Sequence, residues 1–441
     1  MKKQLKIAFV SLGCPKNTVD SEVMLARLAQ HGFILTADEQ RCDIVVVNTC
    51  GFISDAKNEA LGELLHFAGQ RRKGKIKLLV AAGCLVERDK EKLLEAVPEI
   101  DCLVGLANRD EIAEIISASL REKHPSIDIG AGKSFVSDDR IRMLTTLRGS
   151  AYLRISDGCD KKCAFCTIPS IRGNFRSKPP ELVVEEAKLL LDSGVKEVNL
   201  IAQDSNFYGR DLGMKDGLCE LLIELDKLDF IWIRVLYMYP STISDRLIDT
   251  IAQSRHIVPY IDMPIQHINN DILRSMRRTD TRENTTSLIE RLRAKLPGLV
   301  LRTTVITGFP GETVQQHNEL VEFMKWAKFD ALGCFLYSAE DGTPAAELSG
   351  QLDEETKKNR LDEIMTVQSE IACEKNAVLT GSVLEVLSEA VVEGGTIARY
   401  YGQAPEIDGV VKVPDVQVEA GEFFKVRVVC ADGYDLIAEP E

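Results

Sequence analysis

The stretch Cys159-Asp-Lys-Lys-Cys163-Ala-Phe-Cys166 puts three thiols within eight residues, directly after the apolar run 152–155. Thiolates so spaced can fold around one face of an iron–sulfur cluster, and three ligands on a four-iron cluster leave one iron open to a substrate or cofactor. Zinc is the alternative, but a structural zinc takes four protein ligands and no fourth Cys or His lies nearby in sequence. Phe165 is either a cover that shields the cluster from water or an ordinary core side chain.

The run 152–155 opens a strand-then-helix rhythm repeated about six times. Strands are expected at 152–155, 197–202, 232–237, 260–264, 299–304 and 331–337, with helices such as 180–193, 243–254, 271–296 and 312–327 between them. No Gly-x-Gly-x-x-Gly follows the first strand, so an open (βα)6 barrel is favoured over a dinucleotide fold, with a doubly wound sheet as the alternative. Gln203, Asp204, Gln266, His267, Thr307 and Gly308 fall just beyond strand ends, on the face where barrel enzymes build their sites. They are the candidate cofactor- or substrate-binding residues. His267 is a proton carrier or a hydrogen-bonded structural imidazole. Gly308 and Gly311 serve a ligand or only a turn. Arg172, Arg176 and Lys178 either hold carboxylates of a ligand or form a solvated basic segment, and Arg274-Ser-Met-Arg-Arg278 reads as an exposed helix face. No residue stands out as the catalytic acid, base or nucleophile.

Upstream, strands at 7–12, 44–48 and 78–82 alternate with helices at 20–31, 54–70 and 91–96. Continuous Val/Ile/Leu runs between helices indicate a parallel sheet covered on both faces. Three cysteines end such runs: Phe9-Val-Ser-Leu-Gly-Cys14, Val45-Val-Val-Asn-Thr-Cys50 and Leu79-Val-Ala-Ala-Gly-Cys84. The carboxyl ends of neighbouring parallel strands share one edge, so the three can converge on a second cluster, or each can be a buried thiol. Gly13, Gly51 and Gly83 beside them allow tight turns. Cys42, Cys102, Cys219, Cys334, Cys373 and Cys430 read as packed thiols.

A polar stretch at 122–142, with His124-Pro125 and Gly130-Ala131-Gly132, reads as a linker. Beyond Gly381, short runs at 382–387, 397–401, 409–413, 423–429 and 436–438 alternate with Gly-Gly, Asp-Gly and Ala-Gly turns, the pattern of a small all-β barrel. The expected domains are 4–120, a linker at 121–144, 145–376 and 377–441. The 441 residues carry 54 Lys+Arg against 68 Asp+Glu, a net charge of −14. That balance argues against a chain built mainly to coat phosphate backbones. Twelve cysteines are too few for a disulfide scaffold in so long a chain. No apolar run approaches the ~18 residues of a membrane span and no signal-peptide pattern opens the sequence, so a cytoplasmic protein is expected.

Cys-x3-Cys-x2-Cys with an aromatic residue before the last Cys resembles the signature of the radical S-adenosylmethionine enzymes. The resemblance implies a partial βα barrel whose cluster, at its open iron, chelates S-adenosylmethionine and cleaves it into methionine and a deoxyadenosyl radical. Thr307-Gly-Phe-Pro-Gly-Glu312 is similar to a glycine-containing turn that approaches the cofactor in such cores. An N-terminal three-cysteine domain, a radical core and a barrel tail together resemble the methylthiotransferases over essentially the whole chain. This implies an α/β protein with an N-terminal parallel-sheet domain, a central (βα)6 barrel and a C-terminal TRAM (OB-like) barrel. It also implies two 4Fe-4S clusters, Cys14, Cys50 and Cys84 holding the auxiliary one and Cys159, Cys163 and Cys166 the radical one. S-adenosylmethionine would be both methyl donor and radical source, with an electron donor such as flavodoxin or ferredoxin. Such a family has two branches, one thiomethylating a tRNA adenosine and the other the β-carbon of an aspartate in small-subunit ribosomal protein S-twelve. Ser11-Leu-Gly-Cys-Pro-Lys-Asn-Thr-Val-Asp-Ser-Glu22, Val47-Asn-Thr-Cys-Gly-Phe-Ile53, Tyr260-Ile-Asp-Met-Pro-Ile-Gln-His267 and Ala404-Pro-Glu-Ile-Asp-Gly409 resemble the second. The implied partner is S-twelve, free or in the small subunit, and the implied state is a monomer. A non-catalytic iron–sulfur or zinc protein is the alternative from another class.

From Gly381 on, twelve acids face four bases, a balance of −8 out of the chain's −14. TRAM barrels are normally RNA binders, and such a surface repels phosphates. It suits a basic protein through complementary fields, or is an acidic surface kept for solubility.

Overall fold

Val, Ile and Leu runs buried on both faces set the first sheet. The computed structural model describes residues 4–121, 126–128 and 138–441. It comprises two units, one of Met1–Thr145, Ser156–Lys162 and Cys166–Lys178, the other of Thr146–Ile155, Cys163–Phe165 and Pro179–Glu441.

In the first unit the strands are β1 (Lys6–Ser11), β2 (Ile34–Thr36), β3 (Ile44–Thr49), β4 (Leu78–Gly83), β5 (Cys102–Val104) and β6 (Ser126–Asp128). They pair in parallel in the order β2-β1-β3-β4-β5-β6. The helices are α1 (Pro15–Gln30), α2 (Ser54–Arg72), α3 (Cys84–Ala96) and α4 (Ile112–Ser119). Because side chains alternate along a strand, Ile44 and Val46 pack with Met24, Leu28, Ile112 and Ile116 of α1 and α4. Val45 and Val47 pack with Leu64, Phe67, Leu85 and Leu93 of α2 and α3. The sheet is therefore covered on both faces, as its composition requires. Chain order reverses between β1 and β3, the switch point at which such sheets bind ligands beyond their carboxyl ends.

Two helices begin earlier than their periodicity indicates. Pro15, pre-set for a first helical turn, starts α1 five residues ahead of position 20. α3 starts at Cys84 rather than near 91 because a kink at Asp89 (φ −131°) breaks its apolar rhythm. β6 lies inside the span read as a linker; His124-Pro125 and Gly130-Ala131-Gly132 lie outside the described residues.

In the second unit, β7 (Ser150–Arg154), β8 (Glu197–Ile201), β9 (Trp232–Val235), β10 (Ile257–Asp262), β11 (Val300–Thr307) and β12 (Ala331–Leu336) lie side by side in chain order. Right-handed crossovers in strict sequence put every helix on one side, so the sheet is an open barrel and not a doubly wound one. The helix expected over 271–296 is two, Asn270–Ser275 and Arg282–Lys295, separated where Arg277 takes a φ of 56°. That break turns Arg278 inward, against the expectation of an exposed face. Its guanidinium lies 3.9 Å from the Tyr239 ring centre and bonds the Pro264 carbonyl at 2.8 Å and Asp280 at 2.7 Å. Arg274 and Arg277 remain exposed.

The tail is a closed barrel of β13 (Val383–Val392), β14 (Gly395–Tyr400), β15 (Val411–Pro414), β16 (Phe423–Asp432) and β17 (Asp435–Pro440). Alternate residues such as Val386, Ala398, Val413, Val426 and Val428 fill it. It meets β8 and β9 through buried charge: Glu197 accepts from Arg399 at 2.7 Å and from Arg234 at 2.9 Å. Burial alone would raise the Glu197 carboxyl, yet the two guanidiniums bring it down to about 2 from its ordinary 4.5. A depressed carboxylate stabilises the fold above its unfolded pKa, and that contribution fades as pH falls from about 4.5 toward 2. Glu197→Gln leaves two buried cations short of a partner, so a loss on the order of 3–5 kcal/mol at pH 7 is expected. The deficit should shrink toward pH 3. Urea unfolding of the full chain at both pH values measures it; equal stability of parent and variant at pH 7 would contradict the assignment.

Candidate functional site

The carboxyl ends of β1, β3 and β4 carry the three dispersed cysteines. Cys14 caps α1, Cys50 follows β3, and Cys84 is the first residue of α3. They flank the switch point, and they sense one another. The Cys50 thiol is raised by burial and by Cys14. Buried Cys84 is pushed up to about 12 by burial, with Arg172 opposing the rise and Cys14 and Cys50 adding to it.

Glycine makes this closeness possible in two ways. Gly13 and Gly83 take φ of 97° and 93°, and a Cβ on Gly13 would stand 2.7 Å from that of Cys50. On Gly83 it would run into the Asn48 side chain. Gly51 needs room instead: its Cβ would lie 2.8 Å from Leu85 Cα. Three buried polar side chains tie the strand ends together. Asn17 Nδ2 donates to the carbonyls of Leu12 (2.7 Å) and Thr49 (3.1 Å). Asn48 Nδ2 donates to the Asn17 carbonyl at 3.0 Å, and Thr49 Oγ1 to that of Ala82 at 2.6 Å. The sequence reading passed over them, although an Asn-Thr pair ending an apolar run is the signal that a polar frame is needed there.

The clustered cysteines divide between the units, Cys159 and Cys166 in the first and Cys163 in the second. In the first, Ser156–Asp157 pairs with Arg176–Ser177, and Gly158, at φ 76°, passes hard against Asn174. Cys159 N donates to the Gly173 carbonyl at 3.1 Å, and the Ile168 amide to Cys166 Sγ at 3.5 Å. Thr167 Oγ1 donates to the Phe52 carbonyl at 3.3 Å, two residues beyond Cys50. In the second, Ala164 bonds the Met276 carbonyl and the Ala345 amide, each at 2.9 Å. Phe165 packs with Ile272, Met276, Phe309 and Tyr337, the role of a core side chain.

Arg172 and Lys178 are not solvated, and their partners are the chain's own carboxylates. Lys178 pairs with buried Asp139 at 2.8 Å, Asp139 with Arg109 at 2.7 Å, Arg109 with Asp20 at 2.7 Å, and Asp20 with Arg172 at 2.9 Å. Alternating signs let a basic segment bury where a lone charge would not. Arg176 stays exposed.

On the barrel, Gln203 and Asp204 follow β8, Gln266 and His267 follow β10, and Thr307 and Gly308 end β11. Gln266 holds a φ of 66°, its backbone bonding the Thr304 carbonyl (2.9 Å) and the Ile306 amide (2.7 Å). Tyr237, beyond β9, holds 60°. Such strain in non-glycine residues concentrates at functional sites. Glu312, another residue missed in sequence, fastens the turn after β11. Its carboxylate accepts from the amides of Gly308 (2.5 Å) and Phe309 (3.0 Å) and forms an ion pair with Arg360 (3.1 Å). Despite burial, the facing imidazoles of His267 and His317 and the charge of Arg360 hold its carboxyl down to about 2. His267 is wholly buried, Nδ1 accepting from the Asn269 amide at 3.0 Å and Nε2 lying 3.9 Å from Glu312, beyond hydrogen-bond reach.

Of the six remaining cysteines, Cys42, Cys102 and Cys219 are buried and Cys334 is half-buried. Cys373 and Cys430 are exposed, not packed: one lies on the solvent side of helix Glu354–Val378, the other on the outer face of β16. Among the described residues no three His, Cys, Asp or Glu side chains gather around the position of a single metal ion. Ligands of a cluster each bind a different iron, so they need not converge on one point.

An open barrel whose first strand runs into a three-cysteine loop is the radical S-adenosylmethionine arrangement, and residues 153–324 match the model described as the Radical SAM superfamily. Residues 380–440 match the TRAM domain, and residues 6–105 the model described as Uncharacterized protein family UPF0004. The chain is 43% identical over 438 residues to "Ribosomal protein uS12 methylthiotransferase RimO" of Clostridioides difficile, covering 99% of this chain and 98% of the relative. To the protein of that name from Lachnoclostridium phytofermentans it is 44% identical, covering 99% and 100%. It belongs to this methylthiotransferase family. Among solved structures, its fold is similar to the radical S-adenosylmethionine methyltransferase TsrM from Kitasatospora setae, with a TM-score of 0.57 at 16% identity over 78% of this chain and 74% of that one. The cobalamin-dependent radical enzyme OxsB gives 0.51 at 13% identity over 82% and 56%. Both are likenesses of fold alone.

Proposed function

We propose that the chain adds a methylthio group to the β-carbon of an aspartate in ribosomal protein uS12. The observation that carries this is 43% identity spanning 99% of the chain to a uS12 methylthiotransferase. The two cysteine constellations supply donors that fit the chemistry. Cys159, Cys163 and Cys166 would hold one 4Fe-4S cluster, and Cys14, Cys50 and Cys84 another. When bound, the clusters and S-adenosylmethionine supply a hydrogen-abstracting radical and a methylated sulfur for transfer. The chain's own contribution is to hold thiolates and exclude water. Gly13 and Gly83 let Cys14, Cys50 and Cys84 approach, and the frame of Asn17, Asn48 and Thr49 keeps the strand ends in register. Glu312 fixes the Gly308 turn, and Gln203, Asp204, Gln266, Thr307 and Gly308, each at or beyond a strand end, are candidates to contact S-adenosylmethionine or the substrate. No helix among the described residues is long and apolar enough to cross a membrane.

The tail barrel spends some of its acids internally. Asp408 accepts from Tyr260 (2.6 Å) and pairs with Arg302 (3.3 Å), Glu406 accepts from Tyr152 (3.2 Å), and Glu389 binds Arg399. Glu385, Glu393, Asp415, Glu419 and Glu439 remain exposed, while Arg399 is buried. The outer surface stays acidic, which supports a basic protein over RNA as substrate.

Metal analysis after anaerobic reconstitution tests the cofactor set. About eight irons with matching sulfide per chain are expected from two clusters. Stoichiometric zinc without sulfide would sink the proposal.

A further inference from the structure

Arg172 touches a cysteine of the auxiliary set. Its guanidinium is buried, with Nη2 3.3 Å from Cys84 Sγ, 2.9 Å from Asp20 Oδ2 and 3.4 Å from Asn17 Oδ1. Nη1 lies 3.1 Å from Asp157 Oδ2, two residues before Cys159. Arg172 itself lies six residues past Cys166, at the end of helix Ile168–Arg172. One planar fork thus grips an auxiliary cysteine with one arm and the start of the clustered-cysteine segment with the other. All these groups belong to the first unit. The grip is braced, because Asp20 is itself held by Arg109, which is held by Asp139.

We propose that Arg172 is a positioning residue that fixes Cys84 as a ligand, ties it to the segment bearing Cys159, and sets the electron affinity of the auxiliary cluster. The inference rests on the assignment of Cys14, Cys50 and Cys84 to that cluster. Cluster potentials follow net charge and hydrogen bonds to the sulfurs. A permanent cation donating to a ligand sulfur in a water-poor site stabilises the more negative, reduced state. Lysine cannot reproduce the effect fully, since its single ammonium has no rigid fork with which to hold Cys84 and Asp157 together.

The test uses the full chain carrying Cys159→Ala, Cys163→Ala and Cys166→Ala, so that only the auxiliary cluster loads. Arg172→Gln and Arg172→Lys are added separately, and reduction is followed by electron paramagnetic resonance against a graded potential. Thermal melting accompanies each variant. At the potential that half-reduces the parent, Arg172→Gln is expected to lower the ratio of reduced to oxidised cluster about tenfold, ~59 mV for one electron. Arg172→Lys should shift it the same way by less. An unshifted potential in whichever variant loads its cluster overturns the inference while leaving the cluster assignment standing. Absence of an auxiliary signal from the parent overturns the assignment, and the inference with it.

Discussion

Cys163→Ala is expected to abolish deoxyadenosine formation, while Cys50→Ala keeps it and loses only the methylthio product. Cys163 sits at the centre of the clustered set, half-buried, in a loop pinned by Ala164 to Met276 and Ala345. Trimming one thiol there costs little packing but removes one of three ligands. Loss of an outer partner of a metal ligand costs 10–100-fold, so loss of a ligand should exceed ~100-fold. Cys50 is buried where Gly13 passes against it, at the carboxyl edge of the other sheet. Its loss should take iron from about eight to about four per chain, with deoxyadenosine formation kept within about tenfold. Assays of deoxyadenosine and methylthiolated product, with iron on the same samples, check both variants. The reverse pattern would show the two constellations exchanged in role.

β1, β3 and β4 were legible almost to the residue, because β3 and β4 are uninterrupted apolar runs that only a sheet covered on both faces can bury, whereas the three-residue strands β2, β5 and β6 are too short to show a period and were not read. Six strands in chain order, with no phosphate-binding glycines, also read correctly as an open barrel. Hidden features share one cause: their meaning depends on partners remote in sequence. The kink at Asp89 disguised the start of α3, and with it the fact that Cys84 opens a helix. Arg172 and Lys178 read as ligand-binding or solvated because nothing local announces Asp20 and Asp139 as their counter-charges. Cys373 and Cys430 sit in apolar patterns yet point outward, a matter of register that composition does not carry. Glu312 and the strained Gln266 gain significance only once the barrel brings β10 and β11 together.

The second large effect concerns the substrate. A tail barrel with Glu385, Glu393, Asp415, Glu419 and Glu439 exposed, and with Arg399 buried against Glu197, offers no basic groove to a phosphate backbone. The same surface attracts a protein rich in Lys and Arg, and the effect weakens as salt screens it. Removing the enzyme should therefore erase a mark from protein and leave tRNA untouched. Tandem mass spectrometry of uS12 from cells with and without the gene measures this directly. The predicted result is one aspartate bearing a methylthio group in the parent and unmodified in the deletion, with thiomethylated tRNA adenosines equal in both. An unchanged uS12 mass, or loss of the tRNA mark with the protein mark intact, would contradict the account.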